Sequence, residues 1–227
     1  MTVNMVCGLT GSGKTYFIIN KILPELDKKL DPSWQFKANC HVNDEFLSRK
    51  VEYFTDFKDI YNFKKCVVIV DDAGIWFGAR QWNKFPIELQ DVIINNRKNG
   101  LKMWLSTQFL ENVDRTIRDN LHEYWECEKK FGTDENAQNP FGLIVARRYR
   151  PRQYDKVRRN ALKSRWVWIT KNGASRYDTY EIIKRPPENK KELRQRIKEQ
   201  KVENATVEAL TEKQKRRGRP RKLLHNE

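Results

Sequence analysis

Eight residues near the N-terminus constrain this chain more than any others: Gly8, Leu9, Thr10, Gly11, Ser12, Gly13, Lys14 and Thr15, in the pattern G-x4-G-K-T. They follow a short apolar stretch, residues 2–7, and precede a segment with Phe17, Ile18, Ile22 and Leu26 near helical spacing. Strand, glycine-rich turn and helix in that order make a cradle for phosphate. The glycines let successive backbone N–H groups point inward, and the helix N-terminus adds partial positive charge. The pattern assigns Gly8 through Thr15 to ATP, with Lys14 on the β- and γ-phosphates and the Thr15 hydroxyl on Mg²⁺. Pro24 falls inside the helical pattern and predicts a bend or an early end.

Two further segments carry chemistry. Residues 66–70 (CVVIV) read as a buried parallel strand that ends at Asp71 and Asp72. Asp71 sits where a carboxylate completes the Mg²⁺ shell. Asp72 is placed to orient and deprotonate a water for attack on the γ-phosphate, or alternatively to cap a helix or join a surface ion pair. A second acid here separates NTP hydrolases from many small-molecule kinases. Residues 101–107 predict another strand, with Ser106, Thr107 and Gln108 at its end. In a parallel sheet that end opens on the same crevice, so Gln108 is a candidate to hold the attacking water or sense the γ-phosphate.

Strands at 2–7, 66–70, 101–107 and 122–128 alternate with helices at 14–29, 86–98 and 113–121. That alternation predicts an α/β fold with a mostly parallel central sheet flanked by helices. Further strands are expected at 142–147, 165–170 and 175–183, the last two joined as a C-terminal β-hairpin through Lys171-Asn-Gly-Ala. Pro186-Pro187 marks the end of a domain spanning 1–185; residues 186–227 read as a charged helical or disordered tail.

Charge is distributed unevenly. The chain has 45 Lys and Arg against 30 Asp and Glu; residues 1–140 hold 19 and 20 of these, residues 141–185 hold 13 and 3, and the tail 13 and 7. A near-neutral front half and a basic back half point to a polyanionic partner. Arg147, Arg148, Arg150, Arg152, Arg158 and Arg159 are candidates to track DNA phosphates; an anionic membrane surface and a solvated basic face are the alternatives. In the tail, residues 215–222 contain Arg217-Gly-Arg219-Pro-Arg221, which resembles an AT-hook suited to a narrow minor groove. No apolar run approaches a membrane span and no signal peptide is evident. The four scattered cysteines read as reduced cytosolic thiols.

These motifs together resemble the FtsK–HerA superfamily of additional-strand P-loop ATPases, and within it the viral genome-packaging and zonula-occludens-toxin-like branch. The resemblance rests on GLTGSGKT, VVIVDDAGIWFGAR, INNRKNGLKMWLSTQ and the late RYDTYEII, and spans roughly residues 1–185. It implies a homo-oligomeric ring ATPase that moves double-stranded DNA, with a capsid or portal vertex protein as a further partner. Lys14 and Thr15 match the Walker A positions, Asp71 the Walker B acid and Gln108 the polar sensor at the strand end. Arg97 and Arg118 match places where an arginine finger is supplied to a neighbouring subunit. Asp72 stands where the family more usually has glutamate, which shortens its reach. The filamentous-phage relatives normally carry a membrane span, and its absence here favours a soluble packaging motor. The expected function is therefore an ATP- and Mg²⁺-dependent DNA translocase. The alternatives are a phage extrusion or DNA-transfer motor, a small-molecule kinase, and a nucleotide-gated DNA-binding virion protein.

Overall fold

The computed structural model describes residues 2–79, 87–133, 140–151, 161–178 and 181. The described strands are β1 (Thr2–Cys7), β2 (Gln35–Ala38), β3 (Val51–Tyr53), β4 (Cys66–Val70), β5 (Leu101–Thr107), β6 (Leu121–Gly132), β7 (Gly142–Tyr149) and β8 (Lys163–Ile169). They form one sheet in the order β3-β2-β4-β5-β1-β6-β7-β8. Pairing is parallel from β3 through β6 and antiparallel for β6–β7 and β7–β8. The expected mixed α/β class and mostly parallel sheet are both present. β5 lies between β1 and β4, so one additional strand separates the strand before the phosphate loop from the strand that ends in Asp71.

Hydrophobic pattern explains the layering. β4 is buried along its whole length, as expected of a strand covered on both faces. Val68 and Val70 point into one core with Met5, Met103, Trp76, Phe77, Leu89 and Ile93. Val67 and Ile69 point into the other, with Tyr16, Phe17, Ile19, Leu23 and Trp125.

Helical residues continue from Lys14 to Lys29 in three pieces: α1 (Lys14–Phe17), a π turn (Ile18–Ile22) and α2 (Leu23–Lys29). Pro24 has no N–H to offer the carbonyl four residues back. The turn before it widens, the Leu23 N–H bonding to the Ile18 carbonyl, and the helix continues rather than ending. After the short α3 (Ala73–Trp76), the expected helix at 86–98 appears as α4 (Ile87–Ile94) and α5 (Asn96–Asn99), broken at Asn95. Asparagines favour caps over helix interiors, which accounts for the break. α6 (Arg115–Asp119) is capped by Asp114, whose carboxylate accepts the Thr116 N–H at 2.7 Å.

One expectation is corrected. Residues 171–174 form a short helix, α7 (Lys171–Ala174), instead of a hairpin turn, and no strand forms over the described residues 175–178. Thr170 acts as its N-cap, accepting the Gly173 N–H, and Gly173 packs against the hydroxyl of Tyr16. The C-terminal antiparallel pairing lies one element earlier, between β7 and β8. Tyr177 makes a single antiparallel bridge to Val42. The tail from residue 182, with its AT-hook-like segment, lies outside the described residues.

Candidate active site

The parallel register puts the chemistry at one end of the sheet. Cys7, the last residue of β1, pairs with Thr107 of β5, and Val70 of β4 pairs with Leu105. The loop after β1 and the acids after β4 therefore flank the same crevice. Gly13 has φ 83°, and a Cβ there would lie 2.1 Å from Ile144 Cδ1, so glycine is required both by conformation and by space. The next residue, Lys14, is buried and its ammonium group donates to the Leu9 carbonyl at 3.1 Å.

Thr15 Oγ1 donates to Asp71 Oδ1 at 2.8 Å. The same carboxylate oxygen accepts the hydroxyl of Ser106, and Ser106 Oγ in turn accepts the Asp72 N–H at 3.1 Å. Asn39, at the end of β2, holds the backbone of Asp71 from the other side. Asp72 has φ 48° and ψ 54°, a left-handed conformation rare outside glycine, and its side chain makes no cap hydrogen bond to α3. Burial raises the Asp72 carboxyl above its usual range, the neighbouring Asp71 charge adds to this, and Lys14 partly offsets it.

A small cavity of about 160 Å³ is lined by Gly13, Lys14, Thr15, Asp71, Asp72 and Gln108, and on its far wall by Cys40, Tyr177, Asp178 and Glu181. Glu181 accepts the His41 N–H at 2.6 Å, which ties the segment after α7 to the loop after β2. Burial raises the Glu181 carboxyl despite that hydrogen bond. A larger cleft of about 610 Å³ adjoins the other side of the loop, lined by Gly8–Ser12, Gln108, Tyr124, Glu126, Glu128 and Arg147.

Of the residues singled out from sequence, Lys14, Thr15, Asp71, Asp72 and Gln108 converge on one site. Arg118 and the backbone of Arg97 do not join it. They belong to α6 and α5, which lead into β6 and β5 at the opposite end of the sheet. Arg118 is half-buried, and its Nε is buried without a hydrogen-bond partner. The basic stretch divides. Arg147 pairs with Glu128 at 2.8 Å and lines the larger cleft, Arg148 pairs with Glu123 at 2.9 Å, and Arg150 is exposed. Arg152, Arg158, Arg159, Arg217, Arg219 and Arg221 lie outside the described residues. Asn39 and the double role of Ser106 carry no local sequence signal. The only hint was a serine at the end of an otherwise apolar strand.

The residues fit a nucleotide with its cation. Ser12 Oγ is buried in the loop without a partner, a hydroxyl placed to meet an anion's oxygens. Among the described residues no three His, Cys, Asp or Glu side chains cluster to form a metal cage. A hydroxyl–carboxylate pair beside a phosphate cradle is the sparse protein ligand set that Mg²⁺ accepts.

The family model described as Zonular occludens toxin (Zot) matches residues 33–166, a span holding Asp71, Ser106, Gln108 and β6–β7. The chain belongs to the Zot family. Among solved structures, the N-terminal domain of zonular occludens toxin from Neisseria meningitidis is similar, with 16% identity and a TM-score of 0.53 over 78% of this chain and 98% of that one. The genome packaging NTPase B204 from Sulfolobus turreted icosahedral virus 2, in complex with ATP-gammaS, aligns at 17% identity and a TM-score of 0.46, over 55% of this chain and 74% of that one. At such identities the Zot likeness is one of fold. No curated protein matches the chain. Among the described residues, no helix of this Zot-family member is long and apolar enough to cross a membrane.

Proposed function

We propose that this Zot-family chain is an ATP hydrolase that drives double-stranded DNA, as the packaging motor of a viral genome. The observation that carries the reading is the meeting of Thr15 and Asp71 at 2.8 Å beside the phosphate cradle, with Asp72 next along the chain. In this reading, residues 8–15 wrap the triphosphate, and the Lys14 ammonium exchanges the Leu9 carbonyl for β- and γ-phosphate oxygens. Thr15 and Asp71 hold Mg²⁺, which when bound neutralises charge on the β- and γ-oxygens. Asp72 accepts a proton from the attacking water, Gln108 orients that water, and hydrolysis proceeds without a covalent enzyme intermediate. A trans arginine, from Arg97 or Arg118, would couple turnover to a homo-oligomeric ring. Arg150 and the basic residues beyond it, including the AT-hook-like tail, would hold DNA, and a capsid or portal vertex protein would dock the motor in the virion or host cytoplasm.

The test is steady-state ATP hydrolysis with and without double-stranded DNA over a salt series, beside Lys14→Ala. DNA-stimulated turnover that is abolished by Lys14→Ala and fades with salt supports the motor. Nucleotide and DNA binding without turnover would replace it by a nucleotide-gated virion protein. The Zot family match supports a second reading, a phage assembly or extrusion motor. Turnover that requires a membrane partner would favour that one.

A further inference from the structure

The segment after α7 reaches the phosphate end of the site, where the ATPase reading gives it no task. Its backbone is tied to the loop after β2: the Asn43 N–H donates to the Arg176 carbonyl at 2.8 Å, and Tyr177 bridges Val42. Side chains reinforce the tie. The Arg176 guanidinium lies over the Phe46 ring, 3.9 Å from its centroid, and donates to Asn20 Oδ1 at 3.0 Å. Tyr177 is buried and meets Tyr16 edge-to-face. Further along, the Glu181 N–H donates to the Asp178 carbonyl at 3.3 Å. Both residues line the small cavity that Lys14, Thr15, Asp71 and Asp72 also line.

Three consecutive residues after β2 position two acids. Asn39 grips the main chain of Asp71, and two residues later the His41 N–H donates to Glu181 Oε2 at 2.6 Å. The other oxygen, Oε1, is 3.9 Å from His41 Nε2, too far for a hydrogen bond. The carboxylate thus has one oxygen anchored and one to offer.

Charge indicates what that oxygen meets. Asp71, Asp72, Asp178 and Glu181 line the cavity against a single cationic side chain, Lys14. Burial opposes ionisation of Glu181, and the charges of Asp178 and Asp71 add to it. A bound triphosphate makes these surroundings more negative still, so phosphate oxygens are not partners for this carboxylate. A divalent cation reverses the field, and water bound to one is a strong donor. Mg²⁺ takes one or two carboxylates along with phosphate oxygens and keeps several waters. With Thr15 and Asp71 as the protein's direct contacts, Glu181 is left to meet a water of the ion.

We propose that Glu181 is a positioning residue for the nucleotide's cation: its carboxylate accepts a hydrogen bond from a water of the Mg²⁺ held by Thr15 and Asp71, and so completes the cation site from the segment after α7. The inference rests on the ATP reading and deepens it.

The experiment uses the full chain and a methylanthraniloyl-labelled, non-hydrolysable ATP analogue, its fluorescence followed through a Mg²⁺ titration and, separately, in EDTA. Glu181→Gln keeps an acceptor for the His41 N–H and removes the charge. It is expected to raise the Mg²⁺ concentration for half-maximal binding about 10- to 100-fold. Without Mg²⁺ the same variant should bind the analogue no more weakly than wild type, since a negative charge has left the wall. Asp178→Asn, which removes a charge from the same wall, should move the Mg²⁺ midpoint far less. Should the glutamine variant fail to fold, Glu181→Asp, one methylene shorter, is expected to shift the midpoint in the same direction and decides in its place. A wild-type chain that binds no analogue at any Mg²⁺ concentration overturns the ATP reading and this one with it. Mg²⁺-dependent binding that the Glu181 variants leave unchanged overturns this one alone. So does equal weakening with and without Mg²⁺, which would make Glu181 a support of the fold. An equal shift in Asp178→Asn would likewise replace a specific contact by the general charge of the wall.

Discussion

Asn39 holds both main-chain polar groups of Asp71: the Asp71 N–H donates to Asn39 Oδ1 at 2.7 Å, and Asn39 Nδ2 donates to the Asp71 carbonyl at 3.0 Å. Asn39 is 2% exposed and commits one donor and one acceptor of its amide to this one residue. Asn39→Ala leaves two polar groups unpaired, at a cost of about 1–3 kcal/mol in stability. It also frees the backbone that aims the carboxylate. The expected outcome is a rise of about 10- to 100-fold in the Mg²⁺ concentration for half-maximal turnover. A Mg²⁺ titration of ATP hydrolysis, beside a melting curve, checks both.

Ser106 links the two acids. Its proton goes to Asp71 Oδ1 and its lone pair receives the Asp72 N–H. Ser106→Ala should lower turnover and raise the Mg²⁺ concentration for half-maximal turnover by about tenfold or more, while Ser106→Thr, which keeps the hydroxyl, should recover most of it. A cysteine variant, too weak a donor, should resemble alanine.

Gly13→Ala meets two obstacles of different kinds. The new Cβ falls 2.1 Å from Ile144 Cδ1, and φ is 83°. The variant is expected to lose about 1–3 kcal/mol and its thermal stabilisation by ATP. Adding Ile144→Val removes Cδ1 but leaves Cγ1, 2.7 Å from the new Cβ, and the torsional cost. The double variant should therefore regain part of the melting temperature and little of the nucleotide response. Equal recovery of both would show that packing alone demands the glycine.

Arg49 is the hub of the β2 side. Its Nε meets Asp27 Oδ1 at 2.7 Å, and its other nitrogens reach the carbonyls of Asp27, Leu30, Asp31 and Trp34 at 2.8–3.3 Å. Arg49→Ala should cost about 2–4 kcal/mol in urea denaturation, and Arg49→Lys should not restore it, since an ammonium cannot span these acceptors. Burial opposes ionisation of Asp27, but hydrogen bonds from Ser48 and Arg49 outweigh it and lower the pKa below 3.8. The stabilisation is thus complete above the ordinary aspartate range and is lost as pH falls through the depressed value. Asp27→Asn should flatten that acid limb of the stability profile.

Much of this was legible in the residues themselves. The glycine-rich loop and the CVVIV run carry strong local signals, and parallel pairing alone brings Lys14, Thr15, Asp71, Asp72 and Gln108 to one edge. β2 and β3 were not legible. Gln35–Ala38 and Val51–Tyr53 are too short to show a period, and they exist because β4 offers them an edge. Asn39 went unseen for the same reason, since its partner is 32 residues away. The turn at 171–174 reads as a hairpin by composition. It is a helix capped by Thr170, with Gly173 leaving room for the Tyr16 hydroxyl. Arg147 looked like part of a basic surface, yet Glu128 and the β7 register carry it into the cleft.

Tyr16 stands two residues beyond Lys14, and its hydroxyl donates to the Trp168 carbonyl at 3.0 Å and accepts the Thr170 N–H at 3.0 Å. The helix that begins at the phosphate loop is thereby bolted to the far end of β8. The residues that follow the phosphate loop and the strand at the sheet's edge thus share one phenol, with no loop interposed between them.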